Sequence, residues 1–414
     1  MNPYFEMNDT IYDITEKYPE AIAVLANAGF ENMRNKSMRE TMGKTITLRQ
    51  ALKMKQVNEV TFEERLVELI EGNQNDTDTT LVQKNRNHKA TVSIQGVLPC
   101  PIRIPLLEGF EKWLTEQEPK VKEELDYQLQ AASMGVDWIK EQVKKSKSPD
   151  VLADLFISAG FDLFFDKQLI GKFKSQGVFK DLSGFESYNQ DFENERIQLR
   201  DPKGQYSMLG VVPAVFLINQ DELNGRSMPE SWEDLLKPEY ENAVSLPIGD
   251  FDLFNAILLN IHKQYGEEGI KKLGRSLLQS MHPSEMVKSH TRKVNKPVVT
   301  IMPYFFTRMT KNGGPMKAVW PKDGAIISPI FMLSKVQSRQ VLLPFIDFFS
   351  SKQVGEILSH QGLFPSVHPE VDNQIDPKNQ YMWLGWDYIN QQDMGELIGK
   401  LEALFQKSAE EELR

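Results

Sequence analysis

The sequence predicts an α/β protein that carries a small all-α domain at its N-terminus. Three observations carry this. From Lys89 onward, strand and helix signals alternate. Several of these units place a Gly- or Pro-bearing loop between an apolar strand and the start of a helix. Residues 8–72, by contrast, show helical spacing and capping residues only. At 414 residues the chain is too long for one ordinary core, so more than one domain is expected.

The first region, residues 8–72, reads as a series of short helices. Asn8 or Asp9 caps a helix running to Tyr18, and Pro19 opens a second over Glu20–Ala28 that Gly29 stops. Thr47 caps Leu48–Met54, and Thr61 with Glu64 forms a capping box before Arg65–Ile70. Residues 1–72 are therefore expected to be a helical domain. Residues 73–88 are polar, lack periodicity and read as a linker.

The α/β region opens with Ala90–Ile94 as a strand, Gly96–Pro105 as a proline-stiffened loop and Leu106–Leu114 as a helix. Leu125–Gln130 alternates like a second strand, and Trp138–Val143 reads as a helix. Asp154–Gly160 is a near-continuous apolar run ending in small residues, the pattern of a buried parallel strand. Later units repeat the theme. Ser231 caps Trp232–Leu236, Ala243–Pro247 is a short strand, Leu253–Leu259 a helix, and Val298–Met302 a buried strand ending at Pro303–Phe306.

Five segments then resemble one family, the iron- and anion-type (type 2) periplasmic solute-binding proteins of ABC transporters. Asp201–Tyr206 with Val211–Asn219 is similar to that family's crossing strand. Pro229–Tyr240 resembles its P-x-S-W-x-D-L-L-x-P-E-Y segment, and Tyr265–Gly269 its Y-G-E-E-G turn. Val319–Ala325 resembles the return crossing, and Gly362–Pro365 the G-x-x-P near the end. The resemblance implies a two-lobed fold with mixed sheets and hinge crossing strands. Lobe one is expected at 89–207 plus 325–370, lobe two at 208–324, and a helical tail at 371–414 packing on the lobes. It also implies a small ligand bound between the lobes by hinge closure; the residues of the loops below favour an organic acid or oxyanion, and no acid–base pair or nucleophile elbow points to catalysis. The N-terminal stretch resembles a small helical domain of unknown function found on bacterial, often redox-related, proteins. It matches at Asp13–Glu20, Ala28–Phe30 and Thr47–Ala51. Many members carry a cysteine pair after that glycine, whereas this chain has Phe30–Arg34 there. A module that docks a protein partner is the expected role.

Four loops are the expected ligand contacts. Pro99, Cys100 and Arg103 form the first; Arg103 suits a carboxylate or oxyanion through its planar fork of donors, or else a surface salt bridge. Cys100, the chain's single cysteine, is open to being a soft-metal ligand, a reactive thiol of an enzyme, or a packed residue. Ser158 and Gly160 are small enough to bring a ligand to backbone N–H groups, or else form a plain turn. Gly249, Asp250 and Phe251 precede a helix, where Asp250 and Asp252 either cap it or face a cation. Tyr304 and Phe305 begin an aromatic wall; the adjacent tyrosine pair of ferric-binding members is absent, since Phe305 and Phe306 follow Tyr304.

Charge and motif narrow the classes further. A net charge of −10 argues against nucleic acid as the main partner, and the run Lys288–Lys293 reads as a solvated face. No HExxH, CxxC, P-loop or dinucleotide pattern occurs, so no cofactor and no resident metal is expected. No stretch reaches the ~18 apolar residues of a membrane span. The first nine residues lack a basic region followed by an apolar core, and one cysteine allows no internal disulfide, so a cytoplasmic location is expected.

Overall fold

The structure is a computed structural model. It describes residues 4–411 apart from 19–20, 28–29, 56–58, 60–61, 64–65, 68–80, 83–89, 132–136, 162, 249–250, 282–285, 293 and 311–312. The chain divides into two compact units, 1–81 and 82–414.

The first unit is helical. Its elements include α1 (Ile11–Lys17), α2 (Ala21–Asn27), α3 (Lys36–Thr41) and α4 (Leu48–Met54). Thr10, not Asn8 or Asp9, caps α1: its hydroxyl accepts the Asp13 N–H, while Asp9 accepts the Glu6 N–H in the preceding turn. Thr47 caps α4 in a full capping box with Gln50. A short antiparallel bridge joins Thr10 to Thr47, so the two helix starts lie side by side. Ile11, Ile14, Leu25, Leu48 and Leu52 are buried between the helices. The capping box expected at Thr61 and Glu64, and residues 73–80 and 83–88 of the expected linker, lie outside the described residues.

The second unit is built on one mixed sheet. Its strands are β1 (Val92–Leu98), β2 (Leu125–Ala131), β3 (Leu155–Ala159), β4 (Tyr206–Asn219), β5 (Val244–Leu246), β6 (Leu277–Ser280), β7 (Val299–Pro303), β8 (Met316–Val319), β9 (Ala325–Ser334) and β10 (Tyr381–Met382). Among the described residues the order runs β2-β1-β3-β9-β4-β7-β5-β6, with β8 also on β4 and β10 also on β9. The helices that matter here are α5 (Cys100–Glu116), α6 (Asp137–Lys145), α7 (Trp232–Leu235), α8 (Phe251–Ser276) and α9 (Met394–Glu411).

Strand β1 is longer than its alternating core suggests, because Gly96 lets it run beside β3. Gly96 pairs with Ile157, and a Cβ at that position would collide with the Ile157 carbonyl oxygen. Helix α8 contains a break at Gly266 (φ 64, ψ −165), a conformation reserved for glycine. Helix α9 packs on α8 through Phe405, whose ring meets Phe254 edge-on at 5.1 Å, and Lys400 reaches Glu267 at 2.6 Å.

The register fixes the geometry of the two lobes. β1, β2 and β3 run parallel, and β4 runs in the same sense, since β3 and β4 are both antiparallel to β9. β4 therefore continues past the carboxyl ends of the first-lobe strands. Beyond them it pairs antiparallel with β7, and β5 is parallel to β7. The carboxyl ends of the two lobes' parallel strands thus face each other across β4 and β9.

Gly96→Ala should destabilise the second unit by about 2 kcal/mol, because the strand neighbour it meets is backbone and cannot move aside. Gly399→Ala, where nothing lies within 4 Å of the new Cβ, should be neutral or stabilising by up to ~1 kcal/mol. Denaturant midpoints at unchanged m-value check both.

Candidate functional site

The gap between the opposed strand edges is set by β4. Gly210 pairs with Ile330, which also pairs with Ala159 at the end of β3, while Ala214 pairs with Pro303 at the end of β7. Four residues of extended chain at ~3.3 Å each separate the two edges by roughly 13 Å, the span of a small organic molecule. Four segments leave these edges: residues after β1, β3, β5 and β7.

The first is not a loop. Helix α5 begins at Cys100, with Pro99 as its cap residue, so Pro101 to Arg103 form its first turn. Proline spacing misled the expectation. Pro101 sits where a helical N–H has no partner, and Pro105 costs only one later main-chain bond. Pro99 is buried, and Cys100 and Arg103 lie at the positive end of a 17-residue helix on the first-lobe edge.

After β3, Ser158 is buried inside the strand and its hydroxyl donates to the Ala159 carbonyl at 3.4 Å. Gly160 has φ 86 and its N–H donates to the Pro329 carbonyl at 2.9 Å. Its N–H is therefore spent on the crossing strand, contrary to the expectation that it meets a ligand. After β5, Gly249 and Asp250 lie outside the described residues, and the backbone of Phe251 starts α8. Asp252 is the second helical residue and so is not the cap.

After β7, Tyr304 begins a 3₁₀ turn, Tyr304–Met309. Its ring meets Trp320 edge-on at 5.2 Å, Trp320 meets Tyr381 at 5.4 Å, and Tyr381 meets Phe192 at 5.1 Å. This aromatic line crosses from one lobe to the other beside the gap. Phe305 and Phe306 stand edge-on at 5.4 Å, and Phe306 packs into a cluster with Leu217, Met302 and Met316. Tyr304, Phe305 and Phe306 are all half-buried, and Phe306 is the one packed against that cluster.

Trp320 and Tyr381 were not singled out by sequence, because only the fold brings them to Tyr304. The Trp320 indole N–H donates to the Gln380 carbonyl at 2.6 Å. The Tyr381 hydroxyl is buried and has no hydrogen-bond partner among the described residues. Burial first, then the nearby Asp191 carboxylate and Tyr304, hold its phenol well above the ordinary range. Arg308, at the end of the same turn, donates to the His360 carbonyl at 3.0 Å and so bridges the lobes.

Trp232 explains the most specific sequence segment. It is fully buried, its indole donates to the Gly324 carbonyl and its backbone N–H to Asp323, each at 2.9 Å. Burial raises the Asp323 carboxyl above its usual range. The ring also meets Phe216 of β4 edge-on at 4.9 Å. Ser231 caps α7 in a capping box with Asp234. The segment therefore fastens the return crossing to β4.

Comparisons agree with this architecture. Residues 150–392 match the model of a family described as bacterial extracellular solute-binding protein, and residues 5–62 match a domain of unknown function (DUF1858). A spermidine/putrescine-binding periplasmic protein of Salmonella typhimurium is 22% identical over 267 residues, covering 58% of this chain and 74% of that protein. A ferric binding protein from Campylobacter jejuni aligns at TM-score 0.52 and 14% identity, over 77% of this chain and 99% of that one. The periplasmic binding protein AfuA from Actinobacillus pleuropneumoniae, with fructose-6-phosphate bound, aligns at 0.51 and 15%, over 78% and 99%. At such identities the structures establish the fold.

Removing the unpartnered phenol by Tyr381→Phe should leave unfolding unchanged or raise its free energy by up to ~1 kcal/mol, since a buried orphan is lost. The same variant should carry a smaller fraction of any co-purifying solute. Denaturant melts and native mass spectrometry read the two effects separately.

Proposed function

This chain belongs to the bacterial extracellular solute-binding protein family, and we propose that it binds a small organic acid or oxyanion between its lobes by hinge closure, without catalysing a reaction. The observation that carries this reading is the facing pair of strand edges on β4 and β9. Each edge also starts a long helix, α5 on one side and α8 on the other. Two helix N-termini put positive potential into one gap, and Arg103 and Arg308 belong to the segments that flank it. Desolvation on closure strengthens such contacts with an anion.

The aromatic line supports a second reading. Tyr304 and Trp320 offer ring faces that also suit an organic cation, the ligand class named for the Salmonella relative.

Native mass spectrometry of the purified chain, followed by thermal melts with phosphate, citrate and spermidine, separates the two. An anion that binds should stabilise the second unit by about 2.7 kcal/mol at a hundredfold excess over its Kd. Stabilisation by spermidine alone would overturn the anion reading and favour the second. No retained mass and no shift with any of the three would count against both.

We also place the chain in the cytoplasm as a proposal, on the strength of its single cysteine. Fractionation of the native host should find it in the soluble cytoplasmic fraction; recovery with the periplasmic fraction refutes that placement.

A further inference from the structure

We propose that Arg308 and the turn Ile357–Pro365 form an interlobe clamp, with Arg308 as a positioning residue that holds the two ligand-facing edges together before any solute arrives. The clamp is independent of which solute the gap accepts.

Arg308 lies on the turn that leaves the carboxyl end of β7, and its guanidinium crosses to the His360 carbonyl at 3.0 Å. The side chain is otherwise exposed, and among the described residues it forms no ion pair with a carboxylate. A charge-assisted bond to one exposed carbonyl is modest and reversible, which suits a contact that must break when a hinge opens.

The acceptor comes from a distorted piece of backbone. Ile357–Gln361 is a π-helical turn. The Gly362 N–H donates to Ile357 and the Phe364 N–H to Leu358, at 3.2 and 2.9 Å, so neither uses the His360 carbonyl. Leu363 follows with φ 48, a region that L side chains seldom occupy. The His360 ring nitrogen Nε2 bonds the Asp372 carbonyl at 2.8 Å, which fixes the residue from its other side. Non-helical turns and left-handed residues persist where surrounding contacts demand them.

Those contacts lead to the other candidate segment. Gly362 lies against Ile102 in the first turn of α5, so closely that a Cβ at 362 would overlap the Ile102 side chain. Ile102 itself is fully buried. A continuous set of contacts therefore runs from α5, through Gly362 and His360, to Arg308 and the turn bearing Tyr304 and Phe305. At this point the Arg308 side chain ties the first-lobe edge to the second-lobe edge.

Double electron–electron resonance on the full chain tests this. Nitroxides go on Lys144→Cys in α6 and Lys272→Cys in α8, both exposed positions, with Cys100→Ala in every sample to keep the labels unique. Bound solute is removed first by unfolding and refolding. In Arg308→Ala the interlobe distance distribution should lengthen by about 3 Å or more, as expected for hinge opening. Arg308→Lys, which keeps one donor, should recover most of the parent distribution. The melting temperature of Arg308→Ala should stay within about 2 °C of the parent, since one exposed hydrogen bond is lost. Superimposable parent and Arg308→Ala distributions would overturn the clamp. If a solute then narrows both equally, solute binding stands without the clamp; if Arg308→Ala opens while no solute binds, the clamp stands without it.

Discussion

The antiparallel pairing of β4 with β9 is the constraint on which the second unit depends. The two strands share a ladder from Ile326–Ala214 to Leu333–Tyr206, with one irregularity between Ile330 and Phe331. Every residue of both is buried. Because β4 passes the ends of β1 and β3 and then receives β7, one continuous ladder serves both lobes. A separate core for each lobe would leave their separation to loop lengths. A shared ladder sets it by counting residues along a strand, and only the few between Gly210 and Ala214 lie between the two edges.

Other features protect that short stretch. Gly210 meets the Pro365 carbonyl, whose oxygen accepts from Val211, so a third segment pairs on β4 at the level of the gap. Trp232 holds Gly324 and Asp323 on the opposite side. β10 brings the tail alongside Ala325 and Ile326, giving the lobes a third connection besides β4 and β9.

The α/β alternation, the buried run of β3 and the helix caps at Thr47 and Ser231 were legible in sequence, since each is written in local periodicity or capping chemistry, whereas the crossing strands were legible only through their resemblance to the family's segments. The start of α5 was not. Pro-Cys-Pro looks like a stiffened loop, yet both prolines fit a helix whose first turn lacks N–H partners in any case. Ser158 and Gly160 were correctly placed at a strand end, but which polar groups the crossing strand consumes depends on the register with β9. The Tyr304–Trp320, Arg308–His360 and Trp320–Tyr381 contacts join residues 16, 52 and 61 positions apart in sequence. No periodicity signals such pairs.

Three aromatic residues near the crossing strands differ in whether their polar groups have partners. Trp320 spends its N–H on Gln380, and Trp232 spends both of its donors on the return crossing. Tyr381 lies in the same line of rings with its hydroxyl buried and unmatched, beside Asp191, which already accepts from Asn373 at 2.9 Å. An unmatched buried hydroxyl costs about 1–3 kcal/mol in the unliganded state. A solute that supplies its partner on closure recovers that cost as affinity. Under the proposed interlobe binding, a ligand with a polar group directed at Tyr381 would gain that increment, whatever charge the rest of the molecule carries toward α5 and α8.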